Sequence, residues 1–208
     1  NGESLPVFAD KSGNHLDFTQ INVQNRPTFL SNGLNGLPVI HFDRTSSYQY
    51  FENSSSANNI LTSNSNTIFA VAKANTGALN NDPNGVGIVE CVFCPVGYHA
   101  GIQFVGFPNI TDVNVSEYDN NNLGYGINKA AGQGNWILAT SSNNENSQGF
   151  QLQGFINGQD LGRITTSPSP MYNHTITRIG AAFTSGNYSC PLNGDIAEII
   201  GYNKKLND

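Results

Sequence analysis

The chain has 208 residues with a formal net charge of -6, and only 12% of them are Asp, Glu, Lys or Arg, about half the usual share. Its nine Lys and Arg are scattered, so the clustered basic surface that phosphate binding needs is missing and nucleic acid is excluded as a partner. No apolar run approaches the roughly 20 residues that span a bilayer as a helix, which excludes membrane insertion by that route.

Polarity is carried instead by Asn, Ser, Thr and Gln, with 22 Gly, which describes a neutral, hydrogen-bonding surface. The length suits one all-β domain over residues 1–208, since β-sandwiches of this size commonly stay undivided. The start, Asn1-Gly2-Glu3-Ser4, lacks the basic and apolar regions of a signal peptide, so a processed or truncated chain is expected. Low Lys and abundant Asn lean toward an extracellular or virion-surface location.

In chain order, short β-branched or aromatic segments predict strands near 37–43, 47–51, 67–73, 86–93, 98–105, 134–140, 149–156, 160–165, 176–183 and 195–202, with no helical periodicity between them. Gly/Asn/Ser-rich connections separate them, the pattern of a sandwich or barrel rather than of βαβ units. Residues 52–66, 75–85, 116–128 and 141–148 read as rim loops, where a rigid scaffold holds binding residues outward. In Phe150–Ile156, Phe150, Leu152 and Ile156 mark a core face while Gln151 and Gln153 mark a face open to water. Asn157-Gly158 then supplies the positive φ of a two-residue hairpin. Asn193-Gly194 reads as a tight turn with Gly at positive φ. Ile196, Ile199, Ile200 and Tyr202 follow as a strand apolar on both faces, as in the middle of a sandwich. Phe42, Ile68, Phe69, Ala70, Val71, Ile156, Ile179, Ile196 and Ile199 are the expected core.

The ending Gly194-Asp195-Ile196-Ala197-Glu198, followed by Tyr202-Asn203 and Leu206, resembles the terminal strand of the laminin-G-like branch of the concanavalin A-like lectin/glucanase superfamily. Other segments are similar to that family in the expected order: Phe8-Ala9-Asp10-Lys11-Ser12-Gly13-Asn14, Arg26-Pro27-Thr28-Phe29, Asn35–Asp43, Asn66–Lys73, Gly154–Gly158 and Thr177-Arg178-Ile179-Gly180. Phe8 stands where the family usually has Trp, and Arg44 where it usually has Gly. The resemblance implies an all-β, concanavalin A-like jelly-roll of two antiparallel sheets with a ligand face on the concave sheet or rim.

Catalytic patterns are missing. A glycoside hydrolase needs two carboxylates about 5 to 9 Å apart across a cleft, often alternating along one strand. Glu117 and Asp119 lack a third carboxylate in phase, and the spacing of Asp195 and Glu198 predicts opposite faces of their strand. Glu198 reads as a hydrogen-bonded structural carboxylate. His15, His41, His99 and His174 have no carboxylate at recognisable spacing, no nucleophile elbow is present, and His41 reads as a satisfied strand residue. Cys91 and Cys94 have the spacing of a redox or zinc half-site without its context; structural burial, or a bridge from one of them to Cys190, are the alternatives.

Calcium is the metal the resemblance implies, held by rim oxygens; Asp82, Asp112, Asn114, Asp119 and Asn120 are the acids and amides placed to supply them. For a sugar, the requirement is an aromatic platform beside amides. Tyr118 and Tyr125 flanking Asn120, Asn121 and Asn122 form the best loop cluster, and Trp136 suits either a rim platform or a core plug. Sequons begin at Asn53, Asn109, Asn114, Asn173 and Asn187, about the number an Asn-rich chain gives by chance. The expectation is a non-catalytic extracellular binding or adhesion module whose partner is a glycan or a surface protein. A structural domain on a virion or similar particle, self-assembling or attached to other proteins, is the alternative, with a glycoside hydrolase or lyase third.

Overall fold

The computed structural model describes residues 2–44, 48–54, 65–75, 88–95, 101–107, 110–118, 124–130, 134–146, 149–165, 177–184, 187–189 and 191–206. The strands are β1 (Glu3–Ser4), β2 (Val7–Phe8), β3 (Phe18–Thr19), β4 (Thr28–Leu34), β5 (Leu37–Phe42), β6 (Phe51–Asn53), β7 (Ser65–Ala74), β8 (Ile88–Pro95) and β9 (Gly101–Phe107). There follow β10 (Ile110–Tyr118), β11 (Gly124–Ala130), β12 (Ile137–Asn146), β13 (Gly149–Ile156), β14 (Gln159–Thr165), β15 (Thr177–Ile179), β16 (Ala182–Thr184), β17 (Asn187–Ser189) and β18 (Gly194–Tyr202). A single 3-10 turn, Val23–Asn25, capped by the Asn22 side chain, is the helical element among the described residues.

Two antiparallel sheets of eight strands stack into a sandwich. One, the first sheet, runs β1-β4-β5-β18-β7-β12-β13-β14; the second runs β11-β10-β9-β8-β15-β6-β3-β2. The expected all-β sandwich is therefore the observed fold. Phe42, Phe51, Ile68, Ile102, Phe104, Ile179, Leu192 and Ile196 meet between the sheets, each at most 2% exposed. The Phe42 and Phe51 rings join the two sheets edge to face, with centroids 6.2 Å apart.

Asn157-Gly158 turns β13 into β14 with φ of 52° and 77°, as its sequence requires. Asn35-Gly36 does the same between β4 and β5, with φ of 51° and 79°. Gln153, expected on a wet face, is buried, because its amide bonds Asp160 and Arg163 on β14 and so needs no water.

Gly194 is not a positive-φ turn residue. It opens β18 opposite Phe42 on one side and Ala74 on the other, and a Cβ there would collide with the Lys73 carbonyl oxygen. Close backbone approach, not handedness, is what requires glycine. Gly180 has both reasons, a φ of 89° and the Phe42 ring in the space of its missing side chain.

β18 lies inside the first sheet, as its apolar sequence predicts, but pairs with β5 only through Ile196 and then runs on beside β7 alone. A bulge at Ala197 separates the Ile196–Ala72 and Glu198–Val71 pairs. Along β7, Ile68, Ala70, Ala72 and Ala74 are buried toward the second sheet, whereas Phe69 and Val71 are half-buried on the outer face. Strict alternation thus removes those two from the expected core. Ile199 is half-buried against it.

Candidate functional site

Directly paired residues of antiparallel strands project to the same side of a sheet, so the register defines the outer face of the first sheet. Asp195 stands opposite both His41 and Lys73. Its Oδ1 lies 2.7 Å from His41 Nδ1 and its Oδ2 2.7 Å from Lys73 Nζ. Lys73 Nζ in turn sits 5.2 Å from the ring centre of Trp136, a cation–π contact. Trp136 is half-buried just ahead of β12, between the two roles its sequence position allowed.

The electrostatics follow from this geometry. Hydrogen bonding to Asp195 raises the pKa of His41 above its ordinary value, against partial burial, which works the other way. Burial alone would raise Asp195, but the hydrogen bonds from His41 and Lys73 outweigh it and hold the carboxyl below its usual range. With both Asp195 oxygens and His41 Nδ1 engaged, His41 Nε2 is the ring atom through which the cluster would meet a ligand.

Beyond the cluster the face becomes apolar. Leu138 stands opposite Val71 and Ile200 opposite Phe69, and Leu138, Ile200 and Tyr202 are 38%, 40% and 40% exposed. Tyr202 packs edge-on to Phe69 with centroids 6.2 Å apart. Farther along, the C-terminal segment crosses the sheet: Thr67 Oγ1 donates to the Lys204 carbonyl and accepts from Leu206 N–H. Ser65 donates to Asn144 beside it. The arrangement offers aromatic rings, a charged donor–acceptor cluster and flanking hydroxyl and amide groups on one face of the sheet.

Glu198 is not the hydrogen-bonded structural carboxylate expected of it. The Ala197 bulge puts it on the same outer face as Asp195, where it is exposed, and Asp195 takes the hydrogen-bonded role. Asp10, in the Phe8–Asn14 segment, organises its own loop: its carboxylate accepts from Ser12 N–H, Ser12 Oγ and Leu16 N–H. Hydrogen bonds from the Leu16 and Ser12 backbones lower its pKa.

The predicted tyrosine cluster is distributed differently. Residues 116–118 and 124–128 are strand rather than loop, since β10 and β11 form an antiparallel pair that places Tyr118 opposite Gly124 and Tyr125 opposite Glu117. Asp119, Asn120, Asn121 and Asn122 between them lie outside the described residues, as do Asp82 and Cys190. Tyr118 and Tyr125 belong to the second sheet and Trp136 precedes a strand of the first, so the fold does not unite them. Asp112 and Asn114 occupy the middle of β10, paired on both sides, with Val105 and Ala130 and with Gln103 and Asn128, rather than a calcium-binding rim loop. No group of three or more His, Cys, Asp or Glu placed to hold a metal occurs among the described residues. Cys91 and Cys94 both lie within β8, not at a helix start. Ser141–Asn146 also proves to be strand, paired with β13 and, through Asn144, with β7.

Nothing in the sequence marks His41, Lys73 and Asp195 as a group. His41 and Asp195 are 154 positions apart, so no local spacing joins them.

No family model and no curated protein matches the chain. Solved structures do. The binding domain of Paraclostridial Mosquitocidal Protein 1 is similar with a TM-score of 0.63 at 13% identity, over 99% of this chain and 48% of that one. The botulinum neurotoxin serotype C1 binding domain gives 0.60 at 12%, over 98% and 49%. The Ruminococcus gnavus IT-sialidase CBM40, bound to α2,3-sialyllactose, gives 0.50 at 12%, over 70% and 79%. The chain spans about half the length of the toxin binding domains it matches. At these identities the likeness establishes the architecture, a β-sandwich of two antiparallel sheets.

Proposed function

We propose that this chain is a non-catalytic carbohydrate-binding module that receives a glycan on the outer face of its first sheet. The observation that carries the reading is the contact of half-buried Trp136 with Lys73 of the His41–Asp195–Lys73 cluster, on the same face that presents exposed Tyr202 farther along the sheet. Aromatic rings suit the apolar faces of sugar rings, and the charged cluster supplies donors and acceptors for hydroxyls and carboxylates. Support comes from two structural neighbours: the CBM40 bound to α2,3-sialyllactose, and botulinum neurotoxin type C, whose cell entry is dependent upon interaction with two ganglioside molecules. Distant membership of the concanavalin A-like superfamily, display outside the cell and a role in adhesion belong to the same proposal.

A glycan array that includes sialylated and neutral oligosaccharides tests it, using the purified chain beside Trp136→Ala with Tyr202→Ala, and Tyr118→Ala with Tyr125→Ala. Binding that the first pair weakens at least tenfold, and the second leaves unchanged, places the site on this face. Loss confined to the second pair moves it to the β10–β11 hairpin, and no binding to any glycan removes the reading. A second reading, a particle-surface domain whose sheet packs on other proteins, draws on exposed Leu138, Ile200 and Tyr202. Concentration-dependent self-association in sedimentation, abolished by Ile200→Lys, would favour it.

A further inference from the structure

After Ile196 the β18 strand leaves β5, and the gap between them leads into a cavity of about 690 Å3 that lies between the sheets. Its walls are apolar: Phe29 and Ile40 from one sheet, Phe8, Phe18 and Ile179 from the other, and Ile199 beside the split. Polar residues complete the lining: Asp10, Lys11 and Ser12 of the N-terminal loop, Glu198 of β18, and Asn53 and Thr177 of the second sheet.

Protein interiors rarely contain spaces larger than a water molecule, and apolar cavities exclude water while accepting apolar guests. The volume falls within the about 300–1,000 Å3 of sites that enclose a small organic ligand. Sugar hydroxyls would find few partners on such walls and would lose their hydration, so this cavity is distinct in chemistry from the outer-face site. Packed sheets stand about 10 Å apart, which leaves between them a slot that one extended alkyl chain can occupy. In the lining two carboxylates, Asp10 and Glu198, outnumber the ammonium of Lys11. Asp10 is fixed in place by Ser12 and Leu16, so its negative charge is positioned in advance.

We propose that this cavity is a binding site for an amphiphile with a single alkyl chain and a cationic head, the chain between the sheets and the head at the Asp10 and Glu198 carboxylates.

Displacement of N-phenyl-1-naphthylamine fluorescence from the purified chain tests this, with dodecylammonium and dodecanoate as competitors below the concentrations at which they form micelles. Saturable one-to-one displacement is expected, with dodecylammonium effective at about three- to fivefold lower concentration, the effect of partly exposed ionic contacts. Val7→Trp, at an exposed position of the lining, should weaken both competitors at least tenfold by filling the entrance. Glu198→Gln should narrow the difference between them. Ala197→Leu intrudes from the other side and replaces Val7→Trp if circular dichroism shows that variant unfolded. Absence of saturable displacement, displacement unaffected by the blocking variant, or preference for dodecanoate overturns the proposal. So does a dimer in sedimentation that disappears with Val7→Trp, because a second copy would then be the occupant.

Discussion

The two faces of β18 share one short sequence and meet opposite environments. Ile196 is buried and Ile199 rests against the core, while Asp195, Glu198, Ile200 and Tyr202 look outward. Strict alternation from Ile196 would have put Glu198, Ile200 and Tyr202 on the core side. The Ala197 bulge shifts the phase by one residue, so the carboxylate leaves the interior and two large apolar side chains go with it. An exposed apolar strip beside a charged cluster is thus the consequence of a single extra residue that keeps a charge out of the core.

The most severe way to break that contrast is to place a charge on the inner face. Ile196→Glu would put an uncompensated carboxylate between the sheets, which costs several kcal/mol. The expected outcome is loss of the cooperative unfolding transition by circular dichroism, whereas Ile200→Glu on the outer face should leave that transition in place. A second substitution tests backbone fit: Gly194→Ala, whose Cβ would meet the Lys73 carbonyl, should destabilise by about 2 kcal/mol or more in urea unfolding.

Matched truncations sharpen the comparison between the faces. Ile196→Ala should cost about 2 to 5 kcal/mol, as for a fully buried aliphatic side chain, and Ile200→Ala less than about 1 kcal/mol. Equal losses would show that the outer face is as well packed as the inner one.

The smallest expected effect concerns protonation on the outer face. The pKa of His41 is raised above 6.5, so its contribution to stability is complete below about that pH and is lost as pH rises through the folded value. Asp195 is lowered below 3.8, so its contribution is present above that value and is lost as pH falls through the folded one. The cluster should therefore stabilise most between about pH 4 and 6.5. In Asp195→Asn, NMR titration should find the His41 pKa lower than in the parent chain; an unchanged value would mean that the pair does not persist in solution.

Local sequence made some of this legible and hid the rest for identifiable reasons. The β13–β14 hairpin could be read because Asn157-Gly158 encodes its own turn and the flanking residues alternate. β10 escaped because Asp112, Asn114 and Ser116 interrupt its valines with residues of low strand propensity. Ser141–Asn146 looked like a loop for the same reason, yet Asn143 lies buried, donating to the Asn66 side chain across the strand pair. Polar strand residues become tolerable only when a neighbouring strand supplies their partners, and no local window of sequence contains that strand.

The amino-acid sequence by itself determined the class of the protein: short β-branched segments, turn pairs and sparse charge leave a sandwich of antiparallel sheets as the economical way to bury its apolar residues. It also determined the turn between β13 and β14, because Asn157 and Gly158 accept the required backbone angles without outside help. The tertiary structure alone decided the phase of β18, the meeting of His41, Lys73 and Asp195 across distant strands, and the split between β5 and β18. Each depends on strand pairing over long sequence separations, where register, and not the identity of any one segment, sets which side chains share a face.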